Sequence, residues 1–177
     1  NIEKEGRRFR MNEITGKADG FKDEKYIIIP TESFSDYAEH PLVRTIYPTD
    51  VGFFPRARAH YREREDGAQQ YILIYCTEGK GCIEVEDRTY HIGRSDAFCI
   101  PKGRRHKYYA DQEDPWSILW AHFKGEVTLC YPLEECRVVH MNSRQSDNRM
   151  MVLFKLLFRV LERNYTLGNF IYISQVL

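Results

Sequence analysis

YILIYCTEGKGCIEVEDRTYHIGRSDAFCI, residues 71–100, is the stretch that decides the fold. Its short runs of β-branched and aromatic residues are divided by Gly, Asp and Arg, which is the pattern of a meandering antiparallel sheet. We predict strands at Tyr71–Tyr75, Cys82–Glu86, Thr89–Ile92 and Asp96–Ile100, joined by tight turns. A sheet that rolls up in this way either fills its interior with side chains or holds one small ligand.

The composition limits which class of protein this chain can be. The chain has 177 residues, of which 42% are hydrophobic and 14% aromatic, enough for one domain with a real core. Its 26 basic residues balance 26 acidic ones, so the chain has no net positive charge that would attract nucleic acid or an anionic membrane. The five cysteines contain no C-x-x-C pair, and the chain shows neither a signal-like apolar core nor an apolar run of membrane-spanning length. We therefore expect a cytoplasmic protein with no membrane segment.

The chain divides into three parts. Residues 1–25 are rich in charge and poor in apolar periodicity, which predicts an N-terminal arm. Residues 26–140 hold the strand-like runs and form the predicted barrel; among them, Leu42–Tyr47 also reads as a strand. Residues 141–177 change to helical spacing.

The helical segment begins near Ser143 or Ser146, either of which can cap it. Apolar residues cover more than one of its faces, so the helix needs more than one neighbour. We expect residues 146–163 to pack on the barrel and also on a second copy or a further domain. Because Gln175-Val-Leu177 carries no stop signal, we expect the natural protein to continue beyond it.

Basic residues alternate just before the central stretch, in the segment Arg56–Arg64. On a strand, a period of two places Arg58, His60, Arg62 and Arg64 on one side. The plain interpretation is a solvated cationic face, since Arg is rarely buried without a partner. Alternatively, one or two of these residues at the end of the barrel present a fork of donors to a carboxylate or to sugar hydroxyls.

The segment Pro101-x-Gly103-x-x-His106 matches the second motif of the cupin barrels, in which Pro and Gly shape a turn and the His points inward. The basic residues around His106 read as a solvated loop. Metal-dependent cupins add two His and a carboxylate from an earlier strand, because a divalent ion needs several converging ligands. That region offers only His60, so we expect neither a metal nor a cofactor. His106 then either faces a cavity or is a satisfied core His.

Trp116 and Trp120 have two interpretations. An indole at a barrel mouth stacks on the apolar face of a sugar ring while His and Arg bind the hydroxyls, or both indoles fill the core. A strand from Trp116 to Phe123 places Trp116, Ile118, Trp120 and His122 on one face. We assign the ligand-facing role to Trp120 in preference to Trp116.

The order of these motifs resembles the sensor domain of the AraC family of bacterial transcription regulators. The resemblance covers residues 40–177 and implies a mainly β protein, a cupin-like double-stranded β-helix or jelly-roll barrel followed by a C-terminal helical segment. The motifs are Arg64-x-x-Gly67, Tyr71-x-Leu-x-Tyr75, Gly79-x-Gly81, Pro101-x-Gly-x-x-His106-x-Tyr108 and Trp116-x-x-x-Trp120-x-His-Phe-x-Gly125.

In sugar-responsive members of this family the effector lies inside the barrel. Their contact positions, carried over to this sequence, imply a ligand site at Arg64, His106, Tyr108 and Trp120, with His122 on the same face. Ile118 stands where the arabinose-binding type has a polar contact, which argues against arabinose and not against another small effector.

The resemblance also implies partners: an N-terminal arm over the pocket, a homodimer through residues 146–163, and DNA only through a helix-turn-helix domain absent from this chain. We therefore expect a sensor of a small polar effector, a sugar or sugar acid, and not an enzyme. Two alternatives stay open. One is a metal-dependent cupin enzyme that uses His106 and His60, and the other is a dimerisation module whose barrel is filled.

Overall fold

The computed structural model describes residues 16–126, 130–141 and 144–177, without the side chains of residues 144–147. The elements are β1 (Lys25–Ile28), α1 (Thr31–Ala38), β2 (Tyr47–Phe54), β3 (Tyr61–Arg64), β4 (Tyr71–Glu78), β5 (Gly81–Val85), β6 (Arg88–Ile92), β7 (Asp96–Ile100), β8 (His106–Ala110), β9 (Ser117–Lys124), β10 (Val139–His140), α2 (Arg144–Leu161) and α3 (Leu167–Val176).

The strands form two antiparallel sheets. One contains six strands in the order β1-β2-β9-β4-β7-β10, and the other contains four in the order β3-β8-β5-β6. Consecutive strands cross from one sheet to the other after β2, β3, β4, β6, β7 and β8, which wraps the chain into a jelly roll. The predicted fold class, a cupin-like barrel followed by C-terminal helices, is confirmed.

The first hydrophobic core lies between the two sheets. Side chains alternate in and out along β5, β7 and β8, so every second residue is buried. Ile72 and Ile74 of β4 and Ile83 of β5 meet there, and Trp116 closes one end with 0% of its surface exposed.

The second core covers the outer face of the six-stranded sheet. Leu119 and Ala121 of β9 pack there against Phe154 and Leu157 of α2 and Phe170 of α3. The helix predicted over residues 146–163 is therefore present as α2 and packs on the barrel. Ser143 and the side chain of Ser146 lie outside the described residues. Within the described part, no helix has both the length and the apolar character needed to cross a membrane.

Three local predictions differ from the structure. The strand predicted over Leu42–Tyr47 is absent except for Tyr47, which begins β2, because turns closed by hydrogen bonds from Val43 and Arg44 to the His40 carbonyl occupy the segment. Strand β3 begins only at Tyr61, since Arg56 and Ala59 adopt left-handed φ angles of 40° and 59°. Residues 106–110, predicted as part of a basic loop, form strand β8; the charged residues Lys102, Arg104 and Arg105 precede the strand, and within it only Lys107 is charged.

Part of the predicted N-terminal arm is described, from residue 16 onward. Lys17 exchanges backbone hydrogen bonds with the segment before β3, donating to Ala59 and accepting from Tyr61. Phe21 is buried, with its ring 5.0 Å from that of Phe54. Residues 16–21 therefore contribute to one end of the first core.

Candidate functional site

The interior of the barrel contains a cavity of about 120 Å³ that opens to solvent on one side. That volume lies below the usual range for drug-sized ligands, so it suits a small effector. Of the predicted site residues, Arg64, Tyr108, Trp120 and His122 line the cavity, and His106 lies behind Arg64. The other lining residues are Ala18, Asp19, Tyr26, Ile28, Asp50, Phe54, His60, Arg62, Ile72, Ile74 and Ile118. A cavity at this place argues against the alternative of a filled barrel.

Arg64 is anchored by strand β8. Antiparallel pairing places Arg64 opposite His106, and Nη1 of Arg64 lies 3.3 Å from both His106 Nε2 and the Tyr108 hydroxyl. His106 Nδ1 lies 2.8 Å from the Arg104 carbonyl oxygen, so Nδ1 carries the proton and donates. Nε2 then has a lone pair that accepts from Arg64. The guanidinium is thus held by two uncharged acceptors.

The buried His106 stays neutral. Burial lowers its pKa below the usual value, and the nearby charge of Arg64 lowers it further, although the hydrogen bond to Arg104 acts in the opposite direction. Because a neutral imidazole has a single ring proton, His106 satisfies both of its nitrogens within the protein. His106 therefore positions Arg64 and does not itself line the cavity.

Asp50 and His122 form a second polar group in the cavity. They lie opposite each other on β2 and β9, with His122 Nδ1 3.3 Å from Asp50 Oδ2, and their side chains are 16% and 18% exposed. Burial by itself raises the pKa of Asp50, but hydrogen bonds from His122 and Thr49 and the charge of Arg64 together hold this pKa below its ordinary value. Asp50 is thus an anion with an accessible edge. Asp50 is not among the predicted site residues, because the sequence does not predict β2 as a strand.

Trp120 forms one wall of the cavity, over Gly52. The two residues face each other across the β2–β9 pair, and a Cβ at position 52 would lie 2.2 Å from the indole. The Trp120 ring also contacts Phe54 and His122. Its Nε1 is buried and has no hydrogen-bond partner among the described residues.

Replacing Gly52 with Ala is expected to push the Trp120 indole out of its place and to destabilise the domain by about 1–3 kcal/mol, the usual cost of overpacking. Tryptophan fluorescence and chemical unfolding measure the two effects. The matched control is Gly168→Ala in α3, where an added Cβ meets nothing within 4 Å. Because Ala favours a helix over Gly, that variant should be unchanged or slightly more stable. Equal behaviour of both variants would contradict the close packing of Trp120 on Gly52.

His60 is a core residue, which contradicts the prediction that it belongs to a solvated cationic face. It is 2% exposed, its ring contacts Phe21 and Phe54, and its Nδ1 accepts a 3.1 Å hydrogen bond from the indole of Trp116. Burial, with the nearby charges of Arg62 and Arg64, lowers the pKa of His60 to about 3. The solvated interpretation is right for Arg58 and Arg62, which are exposed, and wrong for His60 and the partly buried Arg64.

Among the residues that the structure describes, no group of three or more His, Cys, Asp or Glu side chains is placed to hold a metal ion. The two histidines considered as metal ligands, His106 and His60, form hydrogen bonds within the protein. Both nitrogens of His106 and Nδ1 of His60 are in hydrogen bonds with other protein groups.

Comparison with known proteins gives one family match and several relatives. Residues 49–172 match the family described as the AraC-like ligand binding domain. The MmsAB operon regulatory protein of Pseudomonas aeruginosa is 40% identical over 110 residues, which are 59% of this chain and 35% of that protein. The Lactose operon transcription activator of Staphylococcus xylosus is 30% identical over 71 residues, 40% of this chain and 25% of that protein. The chain thus matches about a third of the first relative and a quarter of the second.

Solved structures of cupin proteins also align with the chain. The Cnp3 cupin domain of Schizosaccharomyces pombe has 14% identity and a TM-score of 0.40, covering 60% of this chain and 69% of that chain. A cupin superfamily protein of Desulfitobacterium hafniense has 9% identity and a TM-score of 0.39, covering 60% of this chain and 82% of that one.

Proposed function

The chain belongs to the family of AraC-like ligand-binding domains, and from this premise we propose that it is the effector-sensing and dimerisation domain of a cytoplasmic transcription regulator. The observation that carries the proposal is the cavity between the sheets, where the Arg64 guanidinium, the Asp50–His122 pair and the Trp120 indole meet. The protein senses and does not catalyse, which agrees with relatives that are named as operon regulators. DNA binding belongs to a helix-turn-helix domain outside this chain.

The proposed effector is a small polar molecule, a carbohydrate or sugar acid. An indole wall beside hydrogen-bond donors suits the apolar face and the hydroxyls of a sugar ring. The name of one relative, the Lactose operon transcription activator, supports this choice. Arg64, Tyr108, Trp120 and His122 contact the effector, and His106 positions Arg64.

Strand β1 is placed to relay occupancy of the cavity to the helices. Tyr26 and Ile28 line the mouth of the cavity, while Lys25 reaches the other way to the carboxylate of Glu162 and the ring of Phe158 at the end of α2. An effector shifts such a two-state arrangement only by its difference in affinity for the two states. The arm, residues 1–25, is proposed to close over the mouth.

The homodimer is proposed to form through residues 146–163. Support comes from α2, whose one side packs on the barrel while Val152, on the other side, is 53% exposed. An apolar residue on an open helix face is a usual component of a subunit contact.

Isothermal titration with a panel of sugars and sugar acids tests the proposal. At least one compound should bind, and Trp120→Ala should weaken that binding about tenfold, because losing an aromatic wall removes on the order of 1.4 kcal/mol. Tyr172→Ala is the control, since Tyr172 lies exposed on α3, outside the cavity lining. Equal affinity of Trp120→Ala and wild type for a genuine ligand would remove the site assignment. Stoichiometric metal that resists dialysis would instead favour the cupin enzyme.

A further inference from the structure

The side chain of Arg64 is positioned but not neutralised. Its Nη1 is held by His106 and Tyr108, both of which are uncharged acceptors. Within residues 16–126, 130–141 and 144–177, no carboxylate lies within 4.0 Å of the guanidinium, and Nε and Nη2 make no hydrogen bond. The charge of this partly buried cation is therefore not balanced by a direct contact, although Asp50, which lines the same cavity, interacts with it electrostatically. Three N–H donors of a rigid fork thus remain for a ligand.

The other charged groups around the cavity make no direct ionic contact with Arg64. Asp50 is the acidic residue of the inner wall, and its Oδ2 already accepts hydrogen bonds from His122 and Thr49. The other two charged lining residues, Asp19 and Arg62, are exposed at the mouth. A carboxylate presents two oxygens with the spacing of the guanidinium fork, so it satisfies Arg64 better than a single hydroxyl does.

The rest of the wall limits how many hydroxyls a ligand can carry. The Asp50–His122 pair offers an acceptor and a ring nitrogen to one hydroxyl. The aliphatic part of the wall is formed by Ile72, Ile74 and Ile118. A hydroxyl buried against these side chains lacks a partner, which weakens binding.

From this arrangement we propose that the effector is a hydroxylated carboxylic acid, whose carboxylate pairs with Arg64 and whose hydroxyl binds the Asp50–His122 pair. The inference rests on the proposed sensor function and narrows it, because a neutral sugar leaves Arg64 without a counter-ion. It adds Asp50 to the binding residues.

Isothermal titration with matched pairs tests the acid assignment. The pairs are D-galacturonate and D-galactose, D-glucuronate and D-glucose, lactate and propane-1,2-diol, and 3-hydroxybutyrate and butane-1,3-diol. The acid of at least one pair should bind about tenfold or more tightly than its neutral counterpart, the gain expected of a charge-assisted bidentate contact. Arg64→Gln should weaken binding of the acid about a hundredfold, as loss of a partly buried ionic partner does, and should weaken binding of the neutral compound much less. Arg58→Gln, an exposed residue of the same segment, should behave as wild type.

The thermal stability of the ligand-free domain distinguishes a binding role of Arg64 from a structural one. Arg64→Met removes the cation but leaves the buried Nε2 of His106 without its donor, so its Tm should differ from that of wild type by no more than a few degrees, while the rise in Tm caused by the acid disappears. Arg64→Lys retains the charge without the fork and should bind the acid about tenfold more weakly. A large fall in Tm for both variants would indicate a structural Arg64 and overturn the inference.

The outcomes separate this inference from the function on which it rests. Neutral compounds that bind as tightly as their acids, or an acid preference that survives in Arg64→Gln, would overturn the carboxylate assignment and leave the sensor proposal standing. Failure of every acid and every neutral compound to bind at millimolar concentration would count against both.

Discussion

Replacing Trp116 with Ala should lower the free energy of unfolding by about 3–5 kcal/mol, the usual loss for truncating a buried aromatic residue. Trp116 is 0% exposed, and its indole N–H donates to the buried Nδ1 of His60. The variant therefore leaves both a cavity and an unpaired buried acceptor. In a domain of this size the corresponding fall in Tm is about 10 °C.

Trp120→Ala is the matched control for this prediction. One side of the Trp120 indole already faces the cavity, and its Nε1 bonds to no described residue, so its removal should cost clearly less stability. Urea unfolding followed by circular dichroism measures both variants on one scale. If Trp120→Ala destabilised the domain as much as Trp116→Ala, the assignment of one indole to the core and the other to the cavity wall would be wrong.

Lowering the pH from 7 to 5 should remove about 2 kcal/mol of stability through His60 alone. Burial, together with the charges of Arg62 and Arg64, lowers the pKa of His60 from 6.5 to about 3 in the folded protein. Between these two values the unfolded chain binds the proton and the folded protein does not, so stability falls as the pH falls. The pKa of His106 is lowered as well and acts in the same direction.

Thermal unfolding between pH 7 and 5 measures this effect, in a window above the titration of the carboxylates. The pKa of Asp50 is lowered in the folded protein, so its contribution is present above the unfolded pKa of an Asp and is lost only at more acid pH. His60→Gln retains an acceptor for Trp116 and should show a clearly shallower decline, whatever its absolute stability. His91→Gln, at an exposed position of β6, should decline as wild type does. Identical slopes in all three proteins would show that His60 is not a buried neutral imidazole.

The fold could be predicted to a large extent because its signals are local. Strand-forming residues along β4, β5, β6 and β7 are visible in the chain, and those strands lie within three residues of their predicted bounds. The elements that were missed are the ones whose local pattern is weak. Strand β2 contains Pro48 and Gly52, and β8 is a short strand that follows a run of basic residues, so neither stands out as a strand in the sequence.

The candidate site could be predicted only in part. The motif order pointed to five residues, of which His106 lies outside the cavity lining and the other four line it: Arg64, Tyr108, Trp120 and His122. No such pattern marks Asp50, which joins the site because β2 pairs with β9, although the two strands are far apart in the chain.

The sequence by itself determined that this chain rolls into a jelly-roll barrel with a helical segment after it, because strand and helix periodicity are properties of neighbouring residues. Only the tertiary structure decided that the barrel keeps a cavity, that Trp116 fills the core while Trp120 lines the wall, and that Arg64 is held without a counter-ion. The physical reason is that burial and hydrogen-bond partners are set by residues distant in sequence. Gly52 makes room for the indole from across the sheet, and His106 anchors the guanidinium from the neighbouring strand.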